Sequence, residues 1–241
     1  HIRFRNAKAY LLCAGAYVAS DFSLIKAYPG KMYKWGYFPE TVTYTKEQWE
    51  TLKRKDGTVE IVWAGRFMPL KHPEYMIRLA EELKKDKLLW HDNGFSDFHI
   101  HMVGSGEMEE ELLCMAENCG VKDKITFHGF MKPEKVREIM EKCHIHVFTS
   151  NHLEGWGAVV NEAMNSGCVE VASMQAGAVP YLVCHEKNGM IYQDDDVKKM
   201  TEAVYFLVKQ PEKMREMSRN AYETISSLWN ASYAAKELVR F

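Results

Sequence analysis

Two carboxylates, two cations and a glycine turn carry most of the chemistry legible in this sequence. Glu154 and Glu162 stand seven residues apart, and the stretch between them, Gly155-Trp156-Gly157-Ala158-Val159-Val160, passes from a loop into an apolar helical pattern. A helix that starts near Gly157 leaves the N–H groups of its first turn without intrahelical acceptors, and with the helix dipole they favour phosphate oxygens. The backbones of Gly157, Ala158 and Val159 are therefore candidates for holding an anion. Carboxylates flanking such a helix start can accept hydrogen bonds from hydroxyls at both ends of a bound diphosphate, sugar hydroxyls at one end and ribose at the other. Each residue also has an ordinary explanation: Glu154 as a charge at a helix start, and Glu162 as part of a polar outer face with Asn161 and Asn165.

Gly65-Arg66 and Lys71 close a β-branched apolar run. Arginine offers a planar fork to phosphate oxygens and lysine a mobile point charge, so the two suit a diphosphate; the alternative is a solvated surface pair. Gly104-Ser105-Gly106-Glu107 follows another apolar run and opens a helix, where glycines admit a ligand to the backbone and free N–H groups favour an anion. A dinucleotide site would need G-x-G-x-x-G and an acid some twenty residues on. Here the sixth position is Glu109, and the next apolar run ends in Phe127-His128 with no acid.

The elements that must position these groups alternate along the chain. Strand-like runs at 59–65, 98–104, 124–130, 144–150 and 168–174 are separated by helical patterns at 72–86, 107–120, 133–143 and 157–167, and a further helix is expected over 194–210, one from Pro211, and a last one over 229–241. Such alternation predicts βαβ units: an α/β fold with a Rossmann-like parallel sheet covered by helices on both faces. Ligands in such folds bind beyond the carboxyl ends of the strands, so the loops at 65–72, 104–107, 128–131 and 150–157 are expected to converge on one crevice. The segments 7–15, 15–28 and 31–39 form one further βαβ unit, and the charged stretch 43–57 reads as a connector.

With 31 basic and 33 acidic residues the net charge is −2, which gives no reason to expect nucleic acid or an acidic membrane surface as the main partner. The longest apolar run, 9–19, is about half of what a membrane helix needs. None of the six cysteines forms a C-x-x-C pair, so a reduced, cytoplasmic protein is expected, in which the Asn230-Ala231-Ser232 sequon stands idle.

Taken together, these motifs resemble the retaining GT-B-fold glycosyltransferases of family 4, the glycosyl transferases group 1. Glu154 and Glu162 match that family's E-x7-E, within EGWG and NEAMNSG; Gly65-Arg66 with Lys71 matches its G-R-x4-K; VGSGE matches its glycine loop; ITFHGF matches the strand and loop that take the base; and VAS, Gly177 and KNGMIY follow in order. The resemblance spans 59–192 and implies transfer of a sugar, with retained configuration, from a nucleotide-diphosphate donor (a UDP- or GDP-sugar) to a saccharide or lipid-linked acceptor, in polysaccharide assembly. It implies no metal and no cofactor beyond the donor. Arg66, Lys71 and Glu154 would be catalytic: the two cations stabilise charge on the leaving diphosphate, and Glu154 holds donor sugar hydroxyls. Gly65, Gly104, Gly106, Gly157, Ala158 and Val159 would line the diphosphate, Glu162 would hold the ribose, and the backbone near Phe130 and Met131 would meet the base. Residues 1–42 would be the last βαβ unit of an acceptor-binding domain, 43–57 the linker, 58–228 the donor-binding domain and 229–241 a helix crossing back. Most of the acceptor domain would then lie outside these 241 residues, so that the chain binds donor but transfers poorly. The full-length parent would dock peripherally on the inner face of the membrane.

The sequence departs from the family pattern at two places. Val169-Glu170-Val171 puts a carboxylate in a central strand, and Trp156 replaces the common Phe. Asp194-Asp195-Asp196 contains a D-x-D metal signature but precedes a helix, where acids cap. His99/His101 and His144/His146 each share a strand face without further ligands at zinc spacing. Two other classes fit less of the motif order: a nucleotide-sugar epimerase or phosphorylase of GT-B fold, and a non-catalytic nucleotide-binding module.

Overall fold

The computed structural model describes residues 8–53, 57–90, 94–193 and 196–240. The first unit is β1 (Leu11–Ala14), α1 (Val18–Leu24) and β2 (Met32–Trp35), a parallel two-stranded sheet with Leu11 opposite Met32. The connector is ordered. It forms α2 (Lys46–Thr51), started by a capping box in which Thr45 accepts from the Gln48 N–H while the Gln48 side chain accepts from the Thr45 N–H. Tyr44 ties it down: its hydroxyl donates to Glu141 at 2.6 Å, and its N–H to the Tyr222 hydroxyl at 3.1 Å.

The main body alternates β3 (Gly57–Ala64), α3 (Glu74–Lys85), β4 (Phe95–Val103), α4 (Glu109–Asn118), β5 (Ile125–Gly129), α5 (Pro133–Met140), β6 (Ile145–Phe148), α6 (Ala158–Asn165), β7 (Val169–Ser173), α7 (Val179–Leu182), β8 (Gly189–Tyr192), α8 (Val197–Lys209), α9 (Pro211–Leu228) and α10 (Ala231–Val239). Its six strands are all parallel, in the order β5-β4-β3-β6-β7-β8. The α/β reading therefore holds, and the order reverses between β3 and β6, the switch point at which such sheets open a crevice. The short α7 and β8 carry too few residues for their periodicity to be read from the sequence. The last helix starts at Ala231 rather than 229, because Asn230 caps it by accepting from the Tyr233 N–H at 2.9 Å. Asp196 caps α8 in the same way, accepting from the Lys199 N–H; Asp194 and Asp195 lie outside the described residues.

Alternation along the strands sorts the core. Val59, Ile61 and Trp63 of β3 point to one face, where α3, α4 and α8 supply Ile77, Leu79, Leu112 and Val204. Val62 points to the other, with Met140 of α5 and Ala163 of α6. Every residue of β6 and β7 is buried, as expected for central strands covered on both sides. Each fully buried aliphatic side chain contributes on the order of 1.5–3 kcal/mol, so the sheet is a rigid platform for its loops.

Candidate active site at the carboxyl ends of the strands

The four loops expected to converge do so through direct backbone bonds. Gly65 N–H donates to Val103 at 3.0 Å, Phe67 N–H to Ser105 at 3.0 Å, and Gly104 N–H to Gly129 at 2.9 Å. Asn151 N–H donates to the Leu70 carbonyl at 3.0 Å, which joins the β3 loop to the β6 loop across the switch point. This packing gives the glycines a reason of their own. Gly104 has φ +136°, and a Cβ there would stand 1.8 Å from the Gly65 carbonyl oxygen; a Cβ on Gly106 would stand 2.3 Å from that of Phe67. Loop-on-loop contact therefore requires both glycines, whatever approaches from outside.

Lys71 ends a short 3-10 turn, Pro69–Lys71, and His72 after it turns the chain with φ +46°. The Trp63 indole donates to Thr149 Oγ1 at 2.8 Å, and that hydroxyl donates to the Lys71 carbonyl, so the core fixes the turn. The Lys71 ammonium is paired with the Glu154 carboxylate, side chains 21 and 17 % exposed, and Ser150 Oγ also reaches Glu154 at 3.4 Å. The two residues, eighty-three apart in sequence, thus meet where the diphosphate and sugar were expected to lie. Arg66 on the same loop is exposed.

Gly157 caps α6 with φ +97°, where a Cβ would stand 2.5 Å from the Phe148 ring. Ala158 is exposed and Val159 half-buried, so the helix start opens at the surface beside Glu154. Glu162 lies more than a turn further along, apart from the Lys71–Glu154 pair. It lines a groove of about 340 Å³ with Pro39, Val42, Pro133 and Arg137. Burial pushes its carboxyl up from the usual range, while Arg137 and His146 pull it down. On the β5 loop Phe130 is exposed, and Met131 packs against the buried cluster that holds Val62, Met140 and Ala163.

The β1–β2 unit closes one side. Ala16 N–H donates to the Gly177 carbonyl at 2.9 Å, and the Tyr17 hydroxyl to that of Met174 at 2.6 Å. Gly15, Gly155 and Gly177 pack backbone to backbone: a Cβ on Gly177 would stand 2.1 Å from the Gly155 carbonyl oxygen. Trp156 is buried among Tyr37, Tyr181 and Trp229, its indole donating to Asn161 at 2.9 Å, so the aromatic at this position is structural.

Sequence reading gave no role to Thr149, Ser150, Asn151 or Gly15, and it weighed His146 only as a metal ligand and set it aside. The first three follow β6 at its carboxyl end, and only the strand order that sets β3 beside β6 shows what they touch. The paired histidines have partners of their own: His101 bonds Glu60 at 3.0 Å and His128 at 2.9 Å, and His99 bonds Thr126 at 2.8 Å. Glu170, unexplained in the sequence, is buried against His146.

The sequence profile described as Glycosyl transferases group 1 matches residues 45–224. The chain belongs to the glycosyl transferases group 1 family. Among curated relatives, an uncharacterized glycosyltransferase of Haemophilus influenzae is 26% identical over 179 residues, 74% of this chain and 46% of its own. Among solved structures, Staphylococcus aureus TarM, crystallised with Fondaparinux, alpha-GlcNAc-glycerol and UDP, superposes with TM-score 0.79 at 18% identity, covering 99% of this chain and 45% of TarM. Anabaena HepE, crystallised with UDP and glucose, superposes with TM-score 0.75 at 15% identity, over 98% of this chain and 63% of its own. These glycosyltransferase folds share the α/β architecture, and the group 1 chain spans under half of the Haemophilus relative and of TarM. Among the described residues no helix is long and apolar enough to cross a membrane.

Proposed function

We propose that this chain is the donor-binding part of a retaining, family 4 GT-B glycosyltransferase that takes a sugar from a nucleoside diphosphate. The observation that carries the proposal is the meeting of Lys71 and Glu154 across the β3/β6 switch point, beside the start of α6. On this reading a cation suited to phosphate would stand next to a carboxylate suited to hydroxyls. As the bond from the anomeric carbon to the diphosphate breaks, negative charge grows on the departing oxygen; Lys71, Arg66 and the N–H groups of Ala158 and Val159 would stabilise it. Glu154 would hold the sugar hydroxyls and Glu162 the ribose, with the base against Phe130 and Met131 and the diphosphate along Gly65, Gly104, Gly106 and Gly157.

The same reading assigns residues 1–42 to an acceptor-binding domain, 43–57 to the linker, 58–228 to the donor domain and 229–241 to the returning helix, with the acceptor a saccharide or a lipid-linked saccharide. The similarity to TarM and HepE, both crystallised with UDP, supports a nucleoside diphosphate as the common feature. The test is conversion of a sugar nucleotide by the full-length parent. A transferase releases the nucleoside diphosphate only when acceptor is added and keeps the anomeric configuration; conversion of the donor without acceptor would identify an epimerase instead.

A further inference from the structure

The turn that carries Lys71 ends in a residue whose backbone is strained. His72 adopts φ +46° and ψ +51°, the left-handed region that a glycine would enter without steric cost. Strain of this kind persists where surrounding contacts over-determine the conformation, and the imidazole makes such contacts. Its Nδ1 lies 3.0 Å from Glu74 Oε1 in the first turn of α3, its ring stacks on Tyr75 with centroids 4.8 Å apart, and its Nε2 lies 3.4 Å from Asn151 Nδ2.

The partners decide where the protons sit. Leu153 N–H donates to Asn151 Oδ1 at 3.0 Å, which leaves the Asn151 amide nitrogen, a donor, facing His72. Nε2 therefore accepts, and Nδ1 carries the proton that Glu74 accepts. A relay of side chains, Glu74–His72–Asn151, thus runs from the start of α3 across the β3/β6 switch point to the Leu153 N–H, one residue before Glu154. The same loop is held through its backbone as well: Asn151 N–H donates to the Leu70 carbonyl at 3.0 Å, His152 N–H to Gln175 Oε1 at 2.9 Å, and Glu154 N–H to the Asn151 carbonyl at 3.0 Å. Those bonds fix the path of the chain and do not depend on the Asn151 or His72 side chain.

We propose that Asn151 is a positioning residue for Glu154, its side-chain amide oriented by the His72–Glu74 pair so that the loop keeps the carboxylate in place for the hydroxyls of the donor sugar. The inference rests on the donor-site reading above. On that reading a diphosphate takes Lys71 away from Glu154, so the ion pair no longer holds the carboxylate when the sugar needs it, and the hold must come from the loop.

The test compares calorimetric affinities for UDP and UDP-glucose, with GDP and GDP-mannose as a second pair, in the wild type, in two single variants and in their combination, each checked for folding by its melting transition. His72→Gly removes the imidazole and the backbone strain together. Asn151→Ser keeps a hydroxyl that can accept from the Leu153 N–H but is too short to reach His72. Each single variant is expected to bind the sugar nucleotide about fivefold more weakly, with the free diphosphate held at least as tightly as by the wild type, and the double variant is expected to lose no more than either single one. Wild-type affinity for the sugar nucleotide in either single variant, an equal loss of diphosphate and sugar nucleotide, or additive losses would overturn the proposal. Nitrogen NMR of the imidazole and hydrogen exchange of the Leu153 amide read the relay without ligand. His72 should be the Nδ1–H tautomer, and the Leu153 amide should exchange faster in His72→Gly; the Nε2–H tautomer or an unchanged exchange rate refutes the relay. If the wild type binds neither pair of nucleotides, the donor-site reading fails and takes the sugar-holding role of Glu154 with it, whereas the ligand-free spectra judge the relay alone.

Discussion

Glu154 pairs with Lys71, so a diphosphate that is to use Lys71, as proposed, would have to take it from Glu154. Glu154→Gln removes the competitor while keeping the shape. The size of the effect follows from the burial of the pair. Fully exposed pairs are worth about 0.2–1 kcal/mol and breaking buried ones costs about 3–5 kcal/mol. With side chains 21 and 17 % exposed, this pair belongs between those limits. A net gain of about 1 kcal/mol is about fivefold in affinity. Calorimetry in metal-free buffer should therefore show UDP, or whichever nucleoside diphosphate binds, held about fivefold more tightly by Glu154→Gln. Lys71→Ala should weaken binding, and Glu154→Gln added to Lys71→Ala should bring almost no gain. Sugar nucleotides should behave oppositely to the free diphosphate if Glu154 holds the sugar hydroxyls as proposed. Tighter diphosphate binding by Glu154→Gln even without Lys71, or unchanged binding in the single variant, would refute the competition.

Gly104→Ala should destabilise the chain by about 3 kcal/mol or more, because a Cβ meets the Gly65 carbonyl at 1.8 Å and φ is +136°; thermal melting measures the loss, and a wild-type Tm would contradict it. Glu170→Ala should cost about 3–5 kcal/mol in denaturant unfolding by leaving His146 unpaired, whereas H146F/E170V should be neutral or stabilising; equal losses would show that the pair is not acting as a unit. The carboxyl of Glu162 is held above its unfolded value, so between those two values the native state carries the extra proton and stability falls as pH rises. Glu162→Gln should accordingly raise Tm at pH 7 by no more than about 2–4 °C, with the difference fading below the ordinary carboxyl range; a lowered Tm at neutral pH would contradict the sign.

The convergence of the candidate loops was legible because their positions are fixed by the strand–helix alternation. Apolar runs ending in Gly65, Gly104, Phe130 and Ser150 place four loops at one end of a parallel sheet before any coordinate is known. What the sequence does not show is register and strand order. The Lys71–Glu154 pair exists because β3 and β6 are neighbours, although two βα units separate them in the chain. The same applies to Glu170, whose partner His146 becomes visible only when β6 and β7 are laid side by side. Gly104 and Gly106 are readable as glycines a ligand could approach, but their close contact with the 65–67 loop is a tertiary fact. The connector read only as a charged stretch, with no helix assigned, because α2 is only six residues long; Tyr44 and Trp49 anchor it through Tyr222, far along α9.

The donor-site reading is tested most directly by calorimetric titration of UDP, GDP and ADP, with and without a divalent cation, into this chain and into the Arg66→Ala, Lys71→Ala double variant. The expected result is metal-independent binding of one of the three diphosphates, lost in the double variant. Binding that requires the cation, or that survives removal of both side chains, would contradict the assignment of Arg66 and Lys71 to the diphosphate.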